Sequence, residues 1–300
     1  MLPKIEDYEQ FIGKEKVEEI KDLEIKLEGK HIVHVNSTYL GGGVAEILNS
    51  MVVLMNQLKI DTDWRLLKGS HSFFDVTKKF HNALHGEKVS FTNRDKKIYL
   101  DELERNALML HFREHDLVFI HDPQPLGLIK FASGRKQPWI WRSHIQINKA
   151  DRNVWKFLHN FAMQYDGAVF SLPKYRKRDL NIPQYFVAPS IDPLSLKNKD
   201  LSQGQTYKIL LREGIKVDKP IITQVSRFDK WKNPLGVLRI FKRVKERTDA
   251  SLVMIGDLAT DDPEGPEIYN KVVKEAEKMK DVYVLTKKDD LLVNALQRAS

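Results

Sequence analysis

Short apolar runs alternate with helical patterns along the first two thirds of the chain. Apolar residues recur with helical spacing after an acid- and base-rich helix at about 5–21, in the segments 44–58, 100–112 and 154–165. Runs of strand length, rich in β-branched and aromatic residues, lie at 31–36, 116–122, 139–144 and 167–172. Strands that alternate with helices predict a parallel sheet covered by helices.

The pattern is interrupted at 185–205, where proline, serine and polar residues are typical of a domain connection. It begins again with helices at 206–214, 233–248 and 266–279 and strands at 220–226, 251–257 and 282–286. The sequence predicts two Rossmann-like doubly wound α/β domains, 1–205 with a helix and hairpin at its amino end, and 206–300. Because the second has about three strands where such sheets have about five or six, we expect it to be incomplete, either as a small domain or because the chain is a fragment.

Composition supports a globular protein of two domains. The chain has 300 residues, 42% of them hydrophobic and 30% charged, and its longest apolar runs, such as 250–256, are too short to span a membrane. The amino-terminal residues alternate acids and bases and lack a signal peptide pattern. The absence of cysteine excludes disulfides and thiolate metal sites. We therefore expect a cytoplasmic protein without membrane partners.

The net charge of +8, from 49 basic and 41 acidic residues, favours an anionic partner or simply reflects a solvated lysine-rich surface. The basic residues are scattered and are not interleaved with aromatic residues as in a nucleic-acid platform. Nucleic acid is therefore not an expected partner.

Three consecutive glycines, Gly41, Gly42 and Gly43, separate the first strand from the following helix in "VNSTYLGGGVAEIL". A helix amino terminus after the first strand of such a sheet can bind phosphate, and glycine allows a ligand to approach the main chain. The spacing is not G-x-G-x-x-G, so dinucleotide binding is disfavoured. A ligand-contacting loop is favoured over a merely structural tight turn.

Polar side chains follow two further strands of the first domain. His121 and Asp122 leave a strand in "FIHDPQPLGL", and Arg142 and His144 do so in "WIWRSHIQ". Open α/β sheets bind ligands at the edge formed by the carboxyl ends of their strands. A lone histidine is usually structural. Because His144 shares this edge with the three glycines and Asp122, a binding role is as plausible for it as a structural one.

In "QVSRFDKWKNP", Arg227 and Lys232 follow the first strand of the second domain. Arginine suits bidentate phosphate contact and lysine supplies a compact cation, so the pair could hold a diphosphate across an interdomain cleft. The alternative is that both are ordinary solvated bases.

The chain lacks several motifs of catalysis and metal binding. Its histidines show no H-E-x-x-H or other metal-ligand spacing, and it contains neither a G-x-S-x-G elbow nor a G-x-x-x-x-G-K-[ST] phosphate loop. We predict no metal site and favour group transfer.

Six stretches in order, "NSTYLGGGVAEIL", "HDPQPLGLI", "WIWRSHI", "PSIDPLSLKN", "ITQVSRFDKWKNP" and "DDPEG", resemble the trehalose glycosyltransferring synthases, retaining GT-B glycosyltransferases of family 4. Trehalose phosphorylases are close relatives of that family. The resemblance runs from about residue 30 to the last residue. It implies two Rossmann-like domains facing a cleft, with the acceptor mostly on the first and the nucleotide sugar mostly on the second. The reaction implied is glucose transfer from an NDP-glucose to glucose, which gives trehalose with retention and could run in reverse.

The resemblance also implies roles for single residues. Gly41, Gly42 and Gly43 would cover the donor phosphates and sugar, and Arg227 with Lys232 would bind the diphosphate. His144 would lie near the transferred sugar and Asp122 would face the acceptor, as the catalytic pair. His121 and Arg142 would lie on the acceptor side.

Expected partners are small-molecule sugars and the nucleotide sugar, UDP- or ADP-glucose, which is a substrate and not a tightly bound cofactor. A need for Mg²⁺ and a homodimer are left open by the sequence.

Two departures from the family pattern affect the transferase activity that we expect of this chain. Where the family usually has "WKG", this chain has Trp231 and Lys232 followed by Asn233 and Pro234. The lysine is kept, but the turn after it differs. The chain also stops before the segment in which the family carries two glutamates for the donor, so we expect weak or absent transferase activity of a chain that ends at Ser300. The alternatives are a phosphorylase using glucose 1-phosphate and a non-catalytic sugar- or nucleotide-binding homologue.

Overall fold

The computed structural model describes residues 2–39, 42–258 and 264–300. These residues form two compact units: unit 1 comprises 2–39 and 43–190, and unit 2 comprises Gly42 and 191–300. The unit boundary at 190/191 precedes the segment 191–205, whereas a domain boundary at residue 205 stays a prediction from sequence. Within the described residues, no helix is long and apolar enough to cross a bilayer.

Unit 1 is an α/β domain with one sheet. Its strands are β1 (His31–Asn36), β2 (Asp61–Leu66), β3 (Leu117–His121), β4 (Trp139–Ser143), β5 (Gly167–Phe170) and β6 (Gln184–Phe186). Its helices are α1 (Glu9–Ile12), α2 (Lys14–Leu27), α3 (Gly43–Gln57), α4 (His71–Leu84), α5 (Asn93–Met109) and α6 (Arg152–Ala162). Short 3-10 helices lie at Ile5–Tyr8, Phe112–Glu114, Leu126–Phe131 and Pro173–Tyr175.

All strand pairs of the unit 1 sheet are parallel, and the strand order is β2-β1-β3-β4-β5-β6. The order reverses between β1 and β3, because β2 lies on one side of β1 and all later strands lie on the other. In open α/β sheets this switch point creates the crevice in which ligands bind. The carboxyl ends of β1, β3 and β4 are therefore the edge that matters for function.

The two faces of the unit 1 sheet differ in what covers them. Alternate residues of β1, β3 and β4, among them Val33, Val35, Ile120 and Trp141, belong to the large buried core. On the opposite face, Ile32 of β1 packs in a smaller cluster that also includes Val17, Leu58 and Ile60. Because successive side chains of a strand point to opposite faces, the polar residues of β1 and β3 next to this smaller cluster share one face.

Unit 2 contains a second parallel sheet of order β7-β8-β9. Its strands are β7 (Ile221–Val225), β8 (Ser251–Ile255) and β9 (Val282–Leu285), and its helices are α7 (Gln203–Arg212), α8 (Pro234–Lys245), α9 (Gly265–Ala276) and α10 (Asp290–Ala299). A 3-10 helix at Lys230–Lys232 connects β7 to α8. Every residue of β8 is buried, and two apolar clusters cover the two faces of the sheet.

Several predicted elements differ from the observed ones. The predicted amino-terminal helix is divided at Gly13, which has a φ of +81°, and the described residues before β1 contain helices but no strand. Helix α5 begins seven residues earlier than predicted, because Thr92 and Asp95 form a reciprocal capping box at its start. The elements β2, α4 and β6 were not predicted.

Candidate functional site

The carboxyl edge of the unit 1 sheet brings together predicted residues from two neighbouring strands. His121 ends β3, Asp122 follows it, and His144 follows the last residue of β4. In the sheet register His121 pairs with Arg142, so the four predicted residues of these two strands are neighbours.

Three histidines form a hydrogen-bonded chain at this edge. His34 Nδ1 lies 3.0 Å from His121 Nε2, and His121 Nδ1 lies 2.9 Å from His144 Nε2. The rings of His34 and His121 are buried, and that of His144 is partly buried. Both ring nitrogens of His121 are thus bonded to other histidines, whereas Nδ1 of His144 has no partner among the described residues.

Asp122 holds the main chain around His144. Its carboxylate Oδ1 accepts the His144 backbone N–H at 2.8 Å, and its own backbone N–H donates to the carbonyl of Arg142 at 2.9 Å. The Asp122 carbonyl accepts from the Trp141 indole at 3.2 Å. Asp122 has a φ of +65°, a left-handed conformation that costs energy for residues other than glycine. Such strain next to a sheet edge is common at functional sites.

The loop after Asp122 is fixed by two buried tyrosines. The Tyr99 hydroxyl donates to the Pro123 carbonyl at 3.0 Å and accepts the Gly127 N–H at 2.8 Å. The Tyr165 hydroxyl donates to the Leu126 carbonyl at 2.7 Å. The polar residues at the edge are therefore held on a rigid support.

The three histidines are neutral near pH 7. Burial, with a smaller effect of the Arg142 charge, lowers the pKa of His34 from 6.5 to about 4. Burial also lowers the pKa of His121 well below 6.5. The pKa of His144 is lowered by burial, although the nearby Asp122 carboxylate raises it in part. Each ring therefore carries one N–H and one free lone pair.

Arg142 is partly buried beside this chain. Its guanidinium donates to the Val187 carbonyl at 3.3 Å. Burial lowers its pKa and the Asp122 carboxylate raises it. Its positive charge favours the neutral form of all three histidines.

Two of the three predicted glycines can be described, and Gly41 lies outside the described residues. Gly42 has a φ of +84°, which favours glycine, and a Cβ built on it would lie 4.0 Å from Arg227 Nε in the same unit. Gly43 is the first residue of α3, and a Cβ built on it would meet no described atom within 4 Å. Packing within the described chain therefore does not require a glycine at Gly43.

Arg227 and Lys232 lie on either side of a short turn after β7 in unit 2. Asp229 organises this turn by accepting the Trp231 N–H at 2.7 Å, and Gln224 donates to the Lys232 carbonyl at 2.9 Å. Lys232 is exposed, while Arg227 is partly buried. The turn leads directly into α8, so Lys232 lies just before a helix amino terminus, which attracts anions.

A second histidine cluster lies towards the amino ends of β1 and β3. Asp63 Oδ2 lies 3.4 Å from His31 Nε2, 3.2 Å from His115 Nε2 and 2.9 Å from Arg65 Nη2. Among the described residues, the ligand atoms of His31, Asp63 and His115 form a group close enough to hold a metal ion. The Arg65 guanidinium already occupies the shared carboxylate oxygen, so the arrangement is that of an ion-pair network.

His34 is the functional candidate that was missed from the sequence. It lies inside β1 and not after it, whereas the candidate residues predicted from the sequence lie at or after the ends of strands. A usable signal exists in "HIVHVN": a polar residue in the middle of a strand that is otherwise apolar and buried needs a polar partner.

Two family models match the chain. "Trehalose synthase, N-terminal domain" matches residues 34–177, which include the histidine chain. "Glycosyl transferases group 1" matches residues 208–300, which include Arg227 and Lys232.

Proteins similar to this chain include trehalose synthases and a trehalose phosphorylase. A trehalose synthase of Thermococcus litoralis is 43% identical over 99% of this chain and 73% of its own length. One of Rubrobacter xylanophilus is 38% identical over 97% of this chain and 72% of its own length. A trehalose phosphorylase of Grifola frondosa is 27% identical over 91% of this chain and 43% of its own length.

Solved structures share the fold. An α,α-trehalose-phosphate synthase (UDP-forming) from Burkholderia xenovorans, in complex with glucose-6-phosphate, has a TM-score of 0.70 at 15% identity, covering 91% of this chain and 78% of its own. A trehalose-6-phosphate protein from E. coli, bound with UDP-2-fluoro glucose, has a TM-score of 0.61 at 14% identity, covering 88% and 75%. The predicted GT-B type of α/β fold is confirmed.

The parallel sheets, the two family models and the identity to trehalose synthases over nearly the whole chain agree with one another. The protein is a glycosyltransferase and belongs to the trehalose synthase family.

Proposed function

We propose that the protein is a retaining glucosyltransferase that forms trehalose from an NDP-glucose, UDP- or ADP-glucose, and free glucose. The observation that carries the proposal is the carboxyl edge of the unit 1 sheet, where Asp122 and His121 hold His144 with one ring nitrogen available. The 43% identity to a trehalose synthase supports the choice of product. A cytoplasmic location stays a prediction from the amino-terminal sequence.

In this reaction the bond between the anomeric carbon of the donor glucose and the diphosphate oxygen breaks. A bond forms between that carbon and the anomeric hydroxyl oxygen of the acceptor glucose, and the acceptor proton passes to the departing diphosphate. Departure on the same face as attack gives retention without a carboxylate nucleophile. Negative charge develops on the diphosphate as the first bond breaks.

Arg227 and Lys232 are the groups that we assign to this charge. Fixed cations stabilise a transition state more than the ground state when the charge develops during the reaction. The start of α8 adds main-chain N–H groups to the same end of unit 2.

His144 is assigned to a hydroxyl of the transferred glucose. The ring of His144 is fixed through His121 and its backbone through the Asp122 carboxylate. Because His144 is already ordered before the sugar binds, binding costs little additional conformational entropy. Because both nitrogens of His121 are already bonded, we assign it and Asp122 to holding His144. Arg142 remains our candidate for the acceptor. Gly42 and Gly43 leave the main chain open to the donor.

Trehalose formation from UDP- or ADP-glucose and glucose tests the proposal. The proposal expects measurable turnover by this chain, at a low rate if the polypeptide ends at Ser300 before the two glutamates of the family. Arg227→Ala and Lys232→Ala should each lower kcat/KM for the nucleotide sugar about tenfold, the value of one charge-assisted hydrogen bond. Arg239→Ala is the matched control, since Arg239 is an exposed arginine of α8 in the same unit. Equal kcat/KM values for all three variants would refute the phosphate assignment.

A phosphorylase is the second candidate, favoured by the similarity to a trehalose phosphorylase over 91% of this chain. The same two cations could hold inorganic phosphate. Trehalose cleavage with UDP and with phosphate as alternative cosubstrates distinguishes the two: release of glucose 1-phosphate would establish the phosphorylase.

A further inference from the structure

His34 is the closed end of the histidine chain. It lies in the middle of β1, and its ring stacks on Phe119 with centroids 4.9 Å apart and planes at 14°. Nδ1 is bonded to His121, while Nε2 is buried and has no hydrogen-bond partner among the described residues. The other end, Nδ1 of His144, is the one that can meet a ligand.

The two bonds in the chain permit two orders of protons when all three rings are neutral, because each bond needs one N–H and one lone pair. In the first order His34, His121 and His144 all carry the proton on Nδ1, and each donates outward along the chain. In the second order all three carry it on Nε2, and each donates inward.

The two orders differ at the closed end. The first leaves a lone pair on the buried Nε2 of His34, whereas the second leaves an N–H there without an acceptor. Buried N–H groups without a partner are rarer and costlier than unused acceptor sites. The first order is therefore favoured, and with it an N–H on Nδ1 of His144.

The geometry of the rings supports transmission along the chain. His121 and His144 are nearly parallel, at 16°, and Asp122 fixes the backbone of His144. Neither ring can rotate freely without breaking a hydrogen bond, so the state of the buried end determines the state of the open end.

We propose that His34 is a positioning residue that keeps the proton of His144 on Nδ1. His144 then presents a hydrogen-bond donor at the sheet edge. That this donor serves an oxygen of a sugar substrate rests on the proposed function, but the position of the proton does not.

An isosteric pair of variants tests the proposal. The carboxylate introduced by His34→Asp is an acceptor where His34 has its Nδ1 donor, so it should reverse the chain and move the His144 proton to Nε2. The amide introduced by His34→Asn has the same shape but can still donate to His121, so the wild-type order should persist.

Two-bond ¹⁵N–¹H correlation spectra of the full chain with ¹⁵N-labelled histidine report the tautomer directly, and His144→Gln identifies the signals of His144. We expect Nδ1–H in the wild type and in His34→Asn, and Nε2–H in His34→Asp. A wild-type His144 with its proton on Nε2 overturns the proposal, as does a folded His34→Asp variant with an unchanged His144. If His34→Asp does not fold, the wild-type spectrum decides alone.

Activity separates this inference from the proposed function. With trehalose formation as the assay, His34→Asp should lower kcat about a hundredfold, as for the loss of one donor to the transition state, and His34→Asn should stay within about threefold. The expected tautomers without any transferase activity in the wild type would refute the proposed function but leave the role of His34 intact. If the tautomer of His144 is reversed in His34→Asp only and the two variants still have equal kcat values, the donor on His144 takes no part in the reaction.

Discussion

Strands β1 and β3 build two histidine clusters, one at each end of the unit 1 sheet, and the two differ in what their histidines face. Towards the amino ends, His31 and His115 surround the carboxylate of Asp63, which also pairs with Arg65. At the carboxyl ends, His34, His121 and His144 bond to one another. The first arrangement uses its charges internally, whereas the second keeps a ring nitrogen for a ligand.

The carboxylates of the two clusters, Asp63 and Asp122, differ in the same way. Burial opposes ionisation of Asp63, but hydrogen bonds from His115 and Arg65 lower its pKa overall. Asp122 instead accepts a hydrogen bond from the backbone N–H of His144 through one carboxylate oxygen. Among the described residues both clusters leave a ring nitrogen without a hydrogen-bond partner, but Nδ1 of His115 is buried, whereas Nδ1 of His144 lies at the sheet edge where open α/β sheets bind ligands.

The largest difference between the clusters should appear in catalysis. His144→Ala should lower kcat for trehalose formation about a hundredfold to a thousandfold, because a fixed donor to the reacting sugar is lost. His31→Ala, in the other cluster, should leave kcat within about twofold. Steady-state kinetics of both variants measure the contrast, and comparable losses of kcat would show that the two clusters do not differ in catalysis.

Acid should destabilise the carboxyl-end cluster before the carboxylates titrate. The buried His34 is neutral down to about pH 4, whereas its unfolded form takes up a proton near 6.5. The unfolded state therefore binds more protons between these values, and stability falls as the pH falls, by about 3 kcal/mol for His34 alone.

Urea unfolding between pH 7 and pH 4 measures this slope. His34→Phe removes the titrating group and keeps an aromatic ring, so it should reduce the slope by about one proton. An unchanged slope would show that His34 is not neutral in the fold. The pKa of His115 is also lowered by burial, so some slope should persist.

The amino-end cluster should contribute to stability and not to activity. Asp63→Asn removes the charge that His115 and Arg65 share, and we expect a loss of about 1 to 2 kcal/mol in the free energy of unfolding. Asp61→Asn is the control, since Asp61 is an exposed acid of the same strand, and should change stability by less than about 0.5 kcal/mol. Loss of kcat in folded Asp63→Asn would give this cluster a catalytic role.

The smallest effect concerns Gly43, which follows β1 at the functional edge. Gly43→Ala should raise stability by about 0.5 to 1 kcal/mol, because alanine favours α3 and no described atom obstructs its Cβ. It should still lower kcat/KM about fivefold if the donor approaches the main chain there. Gly204→Ala, at an equally open helical position in α7, should give the stability gain without the kinetic loss. Identical kinetics would make Gly43 a structural residue.

Position relative to a strand explains what could be predicted from the sequence. His121, Asp122 and His144 follow apolar strands, and the topology brings such residues to one edge whatever the details of packing. Arg227 and Lys232 were found for the same reason after β7. A division into two α/β domains was predicted from the interruption of the alternating pattern at 185–205.

What could not be predicted depended on contacts between distant segments. The partner of His34 is 87 residues away, so its role appears only once β1 and β3 are paired. Strand β2 is an edge strand that contains two acids, Asp61 and Asp63, and no apolar run, so the hydrophobic pattern does not indicate a strand there. Helix α4 is different, because the regular apolar spacing of Phe73, Val76, Phe80 and Leu84 is a helical pattern that the sequence does contain.

The central claim is that the carboxyl-end cluster serves glucosyl transfer to trehalose. The most direct test is ¹H NMR of the products formed from UDP- or ADP-glucose and glucose by the wild type, His144→Ala and His31→Ala. We predict α,α-trehalose from the wild type and from His31→Ala, and almost none from His144→Ala. Full trehalose formation by folded His144→Ala, or none by the wild type with either donor, would contradict the account.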